Sequence, residues 1–375
     1  MILAPLLLAV FLGYATRTTF ACDHQKLKSV HVVFRHGESV LVSPDSYPHN
    51  PEAPHEFDPR AQADLTMAGK MQSYKLGQYL HSRYSDFLGW EYRRDDVYAR
   101  STYTERARAS LLLVLAGLYL PDAKQRWHPT LDWQPISIES PEDQADDPLL
   151  WPIDCATYLE ERQHVETSSE FVAAIASMVD FFLALSNHTN VRTALSDAEI
   201  TDLYHKLRVG LMANDTVPNW DDISSRIIRN AAVLRYHTQN YNERLRRLNG
   251  GMLLRKIVND MTAAIMGKKT PKINLYGGHE FNVVALLWTM DTWKPIVPAY
   301  SSAVIVELWE HDSKYYVRVL YHDGSTGETD IRTKAQCKTE TKMCPFEEFT
   351  KTNLPIDVNE CYADIDSRKQ CFQKG

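Results

Sequence analysis

Three short β-rich runs in this chain stop at charged residues, and this repeated layout constrains the fold more than any other feature of the sequence. The runs cover residues 29–34, 96–99 and 273–276, and they lead into Arg35-His36-Gly37, Arg100 and His279-Glu280. In open α/β sheets, ligands bind in the crevice beyond the carboxyl ends of the strands. The layout therefore predicts a sheet that gathers these distant residues into one pocket.

Helical patterns follow the first two of these strands. Apolar residues recur at helical spacing over residues 66–84, and a second apolar helix is predicted over residues 103–119. Thr102 and Glu105 form a T-x-x-E sequence that predicts a capping box for the second helix. Residues 282–290 predict another helix. Residues 302–309 and 314–321 predict two strands, and the short loop between them favours an antiparallel hairpin.

The middle of the chain has a different character. Prolines and acids dominate residues 141–152, and helical patterns then cover residues 168–185, 197–212 and 220–247, with few strand signals. Strands that alternate with helices on both sides of an insertion are typical of an α/β protein. We therefore expect a three-layer α/β/α sheet domain, made of residues 22–132 and 250–375, with an inserted and mostly helical cap domain at 133–249.

The amino terminus indicates export. Residues 1–14 are an apolar run too short to span a membrane comfortably, and small residues follow it, notably Ala15 and Ala21. This pattern predicts a signal peptide over residues 1–21 and hence a secreted, extracellular protein. The alternative is a buried N-terminal helix. No later segment is long and apolar enough to predict a membrane span.

Other features agree with export. The chain has six cysteines, and an even number of cysteines in an exported chain favours disulfides. N-x-[ST] sequons at Asn187 and Asn214 predict glycosylated surface loops. The net charge of −7 argues against a nucleic-acid partner.

The residue types at the strand ends match phosphate chemistry without a metal. Two arginines offer planar sets of donors that fit phosphate oxygens, a histidine can attack phosphorus, and a carboxyl group can protonate the leaving oxygen. No cysteine or histidine spacing resembles a zinc site, because Val occupies position 283 where a zinc-protease helix beginning at His279 would carry a second histidine. These residue types are the parts that a metal-free phosphoryl transfer needs.

The order of several longer segments makes the assignment specific. In chain order they are VVFRHGE (32–38), LTMAGKMQSYKLGQYL (65–80), VYARSTYTERA (97–107), DWQP (132–135), YGGHE (276–280), YSSAVIVELW (300–309) and C-x6-CPFEEF, which ends at residue 349. In these segments the chain resembles the histidine acid phosphatases, the two-domain branch of the histidine phosphatase superfamily. The YGGHE segment is most similar to insect secreted and venom-type members.

The resemblance implies a role for each candidate residue and implies no metal or organic cofactor. His36 would be the nucleophile and form a phosphohistidine that water hydrolyses. Arg35 and Arg100 would hold the phosphoryl oxygens, and His279 would donate to the phosphoryl group. Glu280 would be the general acid, at a position where many relatives carry Asp. The implied activity is hydrolysis of small phosphate monoesters at acid pH, because Glu280 must be protonated while His36 stays neutral.

The resemblance also implies two disulfides, Cys155–Cys361 and Cys337–Cys344. The remaining Cys22 and Cys371 either pair with each other or leave Cys22 unpaired. Some relatives suggest a homodimer.

One position departs from the family pattern. The signature continues R-H-G-x-R-x-P, whereas this chain has Ser39 and Leu41 at the last two specified positions. A serine hydroxyl donates one hydrogen bond but carries no charge. Loss of one preorganised donor costs on the order of 3 kcal/mol, or about a hundredfold in rate. Arg60 and Lys70 are near enough in sequence to be considered as compensating cations.

The departure leaves alternatives to an efficient acid phosphatase. One is a catalytically impaired pseudoenzyme that binds phosphate esters or acts as a secreted interaction protein. Another is a relative specialised for inositol polyphosphates, which a strongly basic pocket would favour and the loss of an arginine at position 39 argues against. Ser39 capping a turn after the loop is compatible with either an active or an inactive protein.

Overall fold

The computed structural model describes residues 25–39, 64–140, 149, 155–176, 222–334, 337 and 342–351. Three parallel strands form one half of its sheet: β1 (Lys26–Arg35), β2 (Val97–Ser101) and β3 (Ile273–Gly278). Strand β3 lies between the other two, so that Phe34 of β1 is beside Gly277 and Ser101 of β2 is beside the same residue. The carboxyl ends of all three strands therefore meet at one edge, as the sequence predicts.

The other half of the sheet is antiparallel. Strand β4 (Ala303–His311) pairs with β1, and it forms the predicted hairpin with β5 (Lys314–His322). Strands β6 (Thr329–Arg332) and β7 (Cys344–Pro345) both pair with β5. The seven described strands make one mixed sheet with the order β2-β3-β1-β4-β5-β6.

Two helices cover one face of the sheet: α1 (Met67–Leu88) and α2 (Glu105–Leu118). They pack on a core that includes Val32 and Phe34 of β1. The predicted capping box is wrong, because α2 begins two residues later than a Thr102 cap requires. Its N-cap is Thr104, which makes no side-chain capping bond.

Four described helices fall in the stretch predicted to be a cap: α3 (Ala156–Glu166), α4 (Ser169–Ala176), α5 (Asp222–Gln239) and α6 (Glu243–Asn249). The sequence predicts one helix over 220–247. In the structure this stretch holds two helices, since α5 ends at Gln239 and α6 begins at Glu243, directly after Asn242. The Asn242 side chain accepts a hydrogen bond of 2.9 Å from the Leu245 amide and caps α6. The helix predicted over 197–212 and part of the one over 168–185 lie outside the described residues.

Helices α7 (Gly251–Ile265) and α8 (Glu280–Thr289) pack on the other face of the sheet, and α9 (Phe346–Thr350) follows β7. Helices on both faces confirm the three-layer α/β/α arrangement. The division of the chain into a core and an inserted cap stays a prediction. Among the described residues, no helix has both the length and the hydrophobicity that crossing a membrane requires.

The described part of the chain contains one of the two implied disulfides. Cys337 and Cys344 are bonded, as predicted, and join the segment after β6 to β7. Cys155 is also disulfide-bonded. Its expected partner Cys361 lies outside the described residues, as do Cys22, Cys371, the two sequons and the predicted signal peptide.

Candidate active site

Backbone hydrogen bonds fix the segment that follows β1. The His36 amide donates to the Gly278 carbonyl at 2.9 Å, and the Ser301 amide donates to the His36 carbonyl at 3.2 Å. Ser301 has a φ of 57°, in the left-handed region that non-glycine residues rarely adopt. The loop after β1 is therefore held between the ends of β3 and β4, at the edge where the sequence predicts a site.

Two glycines allow this loop to lie directly on α1. A Cβ atom on Gly37 would overlap the Gly69 carbonyl, and a Cβ atom on Gly69 would overlap the Glu38 backbone. The Thr66 hydroxyl caps α1 and also donates to Glu38 Oε1 at 2.8 Å. The close approach of the loop to α1 needs glycine at both positions. This contact fixes where His36 lies relative to the edge of the sheet.

The hydrogen bonds of His36 identify its tautomer. Arg106 Nε lies 3.2 Å from His36 Nε2, and an arginine can only donate, so Nε2 is the acceptor. His36 Nδ1 then carries the proton and donates to the Gly37 carbonyl oxygen at 2.7 Å. The lone pair of the imidazole is therefore on Nε2, which faces Arg106.

Burial keeps both histidines of the site neutral. The pKa of His36 is held well below 6.5, first by desolvation and then by the nearby His279, Arg35 and Arg106. Desolvation is also the main cause that lowers the pKa of His279 to about 3, with Arg106 adding to it. The two rings lie edge to face with centroids 5.4 Å apart. A neutral imidazole is the form that can attack phosphorus.

Arg35 is fixed by three different contacts at the end of β1. Its Nη1 donates to the Pro298 carbonyl at 2.7 Å, and its Nη2 is 3.0 Å from Glu280 Oε2. Its guanidinium carbon lies 3.8 Å from the centroid of the Tyr300 ring. Only 3% of Arg35 is exposed. The guanidinium is thus positioned before any substrate binds.

His279 and Glu280 lie at the start of α8, directly after β3. His279 is the N-cap, and Asn282 Oδ1 accepts a hydrogen bond of 2.9 Å from its amide. The His279 ring stacks on Phe281, and its Nε2 is 3.0 Å from the Thr102 hydroxyl. Thr102 therefore contacts His279 rather than capping α2. Glu280 opens the helix with its carboxylate against Arg35, where a general acid could reach a leaving oxygen.

Arg100 lies in a different place from the other four predicted site residues. On β2 it alternates with Ala99 and Ser101, which puts it on the same face of the sheet as Tyr98. Its Nη1 is 3.8 Å from Glu139 Oε2, and the Tyr98 hydroxyl donates to that same oxygen at 2.8 Å. The structure thus brings Arg35, His36, His279 and Glu280 together and directs Arg100 toward Glu139.

Arg106, which was not predicted from the sequence, supplies the second guanidinium at His36. Arg106 lies in the first turn of α2, just past the same strand end that carries Arg100. The available signal was this position, because the first turn of a helix that follows a strand lies over the site edge. Burial is the main cause that lowers the pKa of the Arg106 guanidinium from its ordinary value, so the side chain is partly desolvated.

The position that departs from the family pattern is half-buried. Ser39 forms an isolated antiparallel bridge with Leu65, just before α1. Lys70 is exposed on the first turn of α1, and Arg60 lies outside the described residues. Within the described ranges, no group of three or more His, Cys, Asp or Glu side chains is arranged to hold a metal ion.

Comparison with known proteins places these features in a family. The family model described as the histidine phosphatase superfamily (branch 2) matches residues 40–322. The venom acid phosphatase of Apis mellifera is 32% identical over 86% of this chain and 84% of its own length. The prostatic acid phosphatase of Homo sapiens is 28% identical over 94% and 93% of the two chains. The apo structure of the Hafnia alvei phytase superposes with a TM-score of 0.66 at 16% identity, over 87% of this chain and 96% of the phytase.

Proposed function

Since the chain belongs to the histidine phosphatase superfamily (branch 2) and is a phosphatase, we propose that it hydrolyses phosphate monoesters at acid pH through a phosphohistidine on His36. One observation carries this proposal. His36 Nε2 has its lone pair directed at Arg106, in a buried imidazole whose Nδ1 proton is held by the Gly37 carbonyl. A neutral nucleophile beside a phosphate-binding guanidinium is the arrangement that phosphoryl transfer to nitrogen requires.

In the first step, Nε2 of His36 attacks phosphorus as the bond from phosphorus to the ester oxygen breaks. The Glu280 carboxyl group gives its proton to the leaving oxygen. The imidazole ring becomes positive when it bonds phosphorus, and the hydrogen bond from Nδ1 to the Gly37 carbonyl stabilises that charge. Arg35 and Arg106 hold the phosphoryl oxygens, and we assign to Arg106 the role that the sequence analysis gave to Arg100.

In the second step, water attacks phosphorus and gives a proton to the Glu280 carboxylate, while the bond between phosphorus and Nε2 breaks. Phosphate leaves, His36 returns to its neutral form and Glu280 is again protonated. His279 is neutral because its pKa is about 3, so it assists as a hydrogen-bond donor and not as a cation. No step uses a metal or an organic cofactor.

Ser39 limits the rate in this proposal. The Glu280 carboxylate neutralises part of the positive charge of Arg35. The half-buried Ser39 adds no positive charge to the site. A guanidinium at position 39 would add charge-assisted donors to the transferring phosphoryl group. We expect the natural enzyme to be slower than its Ser39→Arg variant by about a hundredfold.

We place this enzyme outside the cell. The apolar N-terminal run supports export, as do the Cys337–Cys344 disulfide and the disulfide that includes Cys155. The relative from Apis mellifera is a venom protein by name, which is consistent with secretion.

The test is release of p-nitrophenol from p-nitrophenyl phosphate between pH 4 and pH 7 by the secreted protein, beside His36→Ala and Ser39→Arg. We expect acid-side turnover by the natural protein, no turnover by His36→Ala and faster turnover by Ser39→Arg. Equal phosphate release by the natural protein and His36→Ala would exclude His36 as the nucleophile. A silent natural protein with an active Ser39→Arg variant would indicate that the scaffold is intact and that the natural protein has turned toward binding or another role.

A further inference from the structure

One peptide group connects the proposed nucleophile to a side chain of α1. The carbonyl oxygen of Gly37 accepts a hydrogen bond of 2.7 Å from His36 Nδ1. The N–H of the same peptide group belongs to Glu38, and it donates to Gln72 Oε1 at 3.0 Å. A chain of two hydrogen bonds therefore runs from the imidazole ring through this peptide group to Gln72.

Gln72 reaches the peptide group because the loop lies along one side of α1. Thr66, Gly69 and Gln72 are spaced three residues apart, so they follow one another on that side of the helix. The Thr66 amide donates to the Glu38 carbonyl at 3.0 Å, and Gly69 lets the Glu38 backbone approach α1 closely. Gln72 continues this line and is half-buried. The helix, rather than a loop, thus places its amide oxygen at the Glu38 N–H.

Other hydrogen bonds hold the same loop in place. The Gly37 amide donates to the hydroxyl of the buried Ser110 at 2.9 Å. The amide and the carbonyl of His36 are bonded to the ends of the neighbouring strands. The position of the loop therefore does not depend on Gln72 alone, and the bond to Gln72 can have an effect of its own.

This effect is on the acceptor strength of the Gly37 carbonyl oxygen. A hydrogen bond to the N–H of a peptide group polarises the group, and its oxygen becomes a stronger acceptor, above all in surroundings of low dielectric. Both His36 and Gly37 are buried. When Nε2 of His36 bonds phosphorus, the ring becomes positive. A stronger acceptor at Nδ1 stabilises this charged ring more than the neutral one, so it lowers the barrier to attack.

We propose that Gln72 is a positioning residue for phosphoryl transfer, whose Oε1 orients and polarises the Gly37 carbonyl that stabilises the positive charge on His36. This inference rests on the proposed function, because it needs His36 as the nucleophile. Gln72 acts through the peptide group and accepts no proton during the reaction. The structure thus extends the nucleophile from one side chain to a unit of ring, peptide group and amide.

The kinetic test compares Gln72→Met with Gln78→Met in the hydrolysis of p-nitrophenyl phosphate. Methionine keeps the length of the side chain but offers only a weak acceptor, so kcat/KM of Gln72→Met should fall about tenfold. Gln78→Met makes the same change at an exposed residue of α1 and should match the natural protein. Gln72→Glu keeps an acceptor oxygen and should retain kcat/KM within about threefold.

The inhibition constant of inorganic phosphate separates this role from damage to the site. Phosphate binds without a bond to Nε2, so the ring stays neutral and the constant should be the same in Gln72→Met as in the natural protein. A constant that rises as much as kcat/KM falls would show that Gln72 only supports the shape of the site. An unchanged kcat/KM in Gln72→Met would overturn the proposal directly.

A spectroscopic readout reports the polarised peptide group without catalysis. In protein made with isotope-labelled histidine, the Nδ1 proton of His36 resonates further downfield when its hydrogen bond is stronger, and His36→Ala identifies the signal. Gln72→Met should move the signal upfield, whereas Gln78→Met should leave it in place. A signal that does not move in Gln72→Met would overturn the proposal.

The two measurements also separate this proposal from the proposed function. Turnover that persists in His36→Ala would overturn the proposed function, and with it the catalytic role of Gln72, even if the signal moves as expected. Turnover that depends on His36 but not on Gln72 would overturn the role of Gln72 alone. If Gln72→Met fails to fold, Gln72→Asn replaces it, because its side chain withdraws the acceptor by one methylene and the same results are expected.

Discussion

Arg106 Nε donates a hydrogen bond of 3.2 Å to Nε2 of His36, the atom that we propose attacks phosphorus. The same contact assigns the proton of His36 to Nδ1 and places a guanidinium beside the proposed nucleophile. In the proposed mechanism, substrate binding moves this donor from the nitrogen to an oxygen of the phosphoryl group. Arg106 would then contact the nucleophile before binding and the substrate afterwards.

Replacement of Arg106 by Met should lower kcat/KM by about a hundredfold to a thousandfold, because one preorganised charged donor is lost. The change removes the guanidinium but keeps much of the side-chain volume. The measurement is steady-state hydrolysis of p-nitrophenyl phosphate at mildly acid pH.

Arg100→Met is the matched control for this prediction. Arg100 is directed toward Glu139, so its loss should change kcat/KM by less than about fivefold. A larger effect for Arg100→Met than for Arg106→Met would return the phosphate-binding role to Arg100.

The pH profile should show that His36 is not an ordinary histidine. Desolvation and the nearby His279, Arg35 and Arg106 hold the pKa of His36 well below 6.5, so the nucleophile stays neutral as the pH falls through 6.5. We expect kcat/KM to stay level or rise as the pH falls through this value. A nucleophile with the usual pKa would instead lose about tenfold per pH unit below 6.5. Such a loss in the natural enzyme would contradict the burial of His36 that the structure shows.

Some features of this fold could be predicted from the sequence because they depend on short segments. The strand that positions Arg35 is rich in valine, and the strand that positions His279 is a short run with Ile273, Leu275 and Tyr276; such runs predict buried strands. The hairpin of β4 and β5 could be predicted for the same reason, since its loop is short. Helix α7 was not predicted, although Leu254, Ile257 and Met261 follow helical spacing. Only Gly250 separates it from α6, so no loop signal in the sequence marks where α7 begins.

Other features depend on contacts between distant segments and could not be predicted. Both Arg100 and Arg106 follow the same strand signal, and only the packing of α2 decides which guanidinium contacts His36. The end of α5 depends on Asn242, whose capping bond competes with continuation of the helix. Likewise, the contact of Thr102 with His279 requires the pairing of β2 with β3.

Stability should decrease as the pH falls, for a reason that lies partly outside the active site. Burial lowers the pKa of His31, on β1, below its unfolded value of 6.5. His36 and His279 behave in the same way. Below pH 6.5 the unfolded chain binds protons that the folded chain does not, so the free energy of unfolding falls with pH until the folded pKa is reached. Each such histidine contributes a slope of up to about 1.4 kcal/mol per pH unit.

This prediction is checked by urea unfolding at pH 5 and pH 7. His31→Gln should reduce the difference in unfolding free energy between the two pH values. His128→Gln should leave the difference unchanged, because His128 is exposed in the folded state as well as in the unfolded one. An unchanged difference in His31→Gln would show that His31 titrates alike in both states.

A buried carboxylate holds α1 to the antiparallel half of the sheet. Glu307 on β4 is fully buried and accepts hydrogen bonds from the Tyr84 hydroxyl at 2.6 Å and from Trp309 Nε1 at 2.9 Å. Arg83 and Arg318 also donate to it, at 3.0 and 2.6 Å. The pKa of Glu307 is lowered because these partners outweigh desolvation, with Arg318 the largest of them.

Glu307→Gln should therefore destabilise the protein by about 3 kcal/mol, since two arginines lose their shared anion. Because the side chains of Arg83 and Arg318 are 30% and 20% exposed, water can compensate in part, which keeps the loss at the lower end of the usual range. The control is Glu310→Gln on the same strand, where a single half-buried pair with Lys28 should be worth about 1 kcal/mol. Urea unfolding followed by tryptophan fluorescence measures both, and equal losses in the two variants would show that the Glu307 cluster adds no more stability than a single half-buried ion pair.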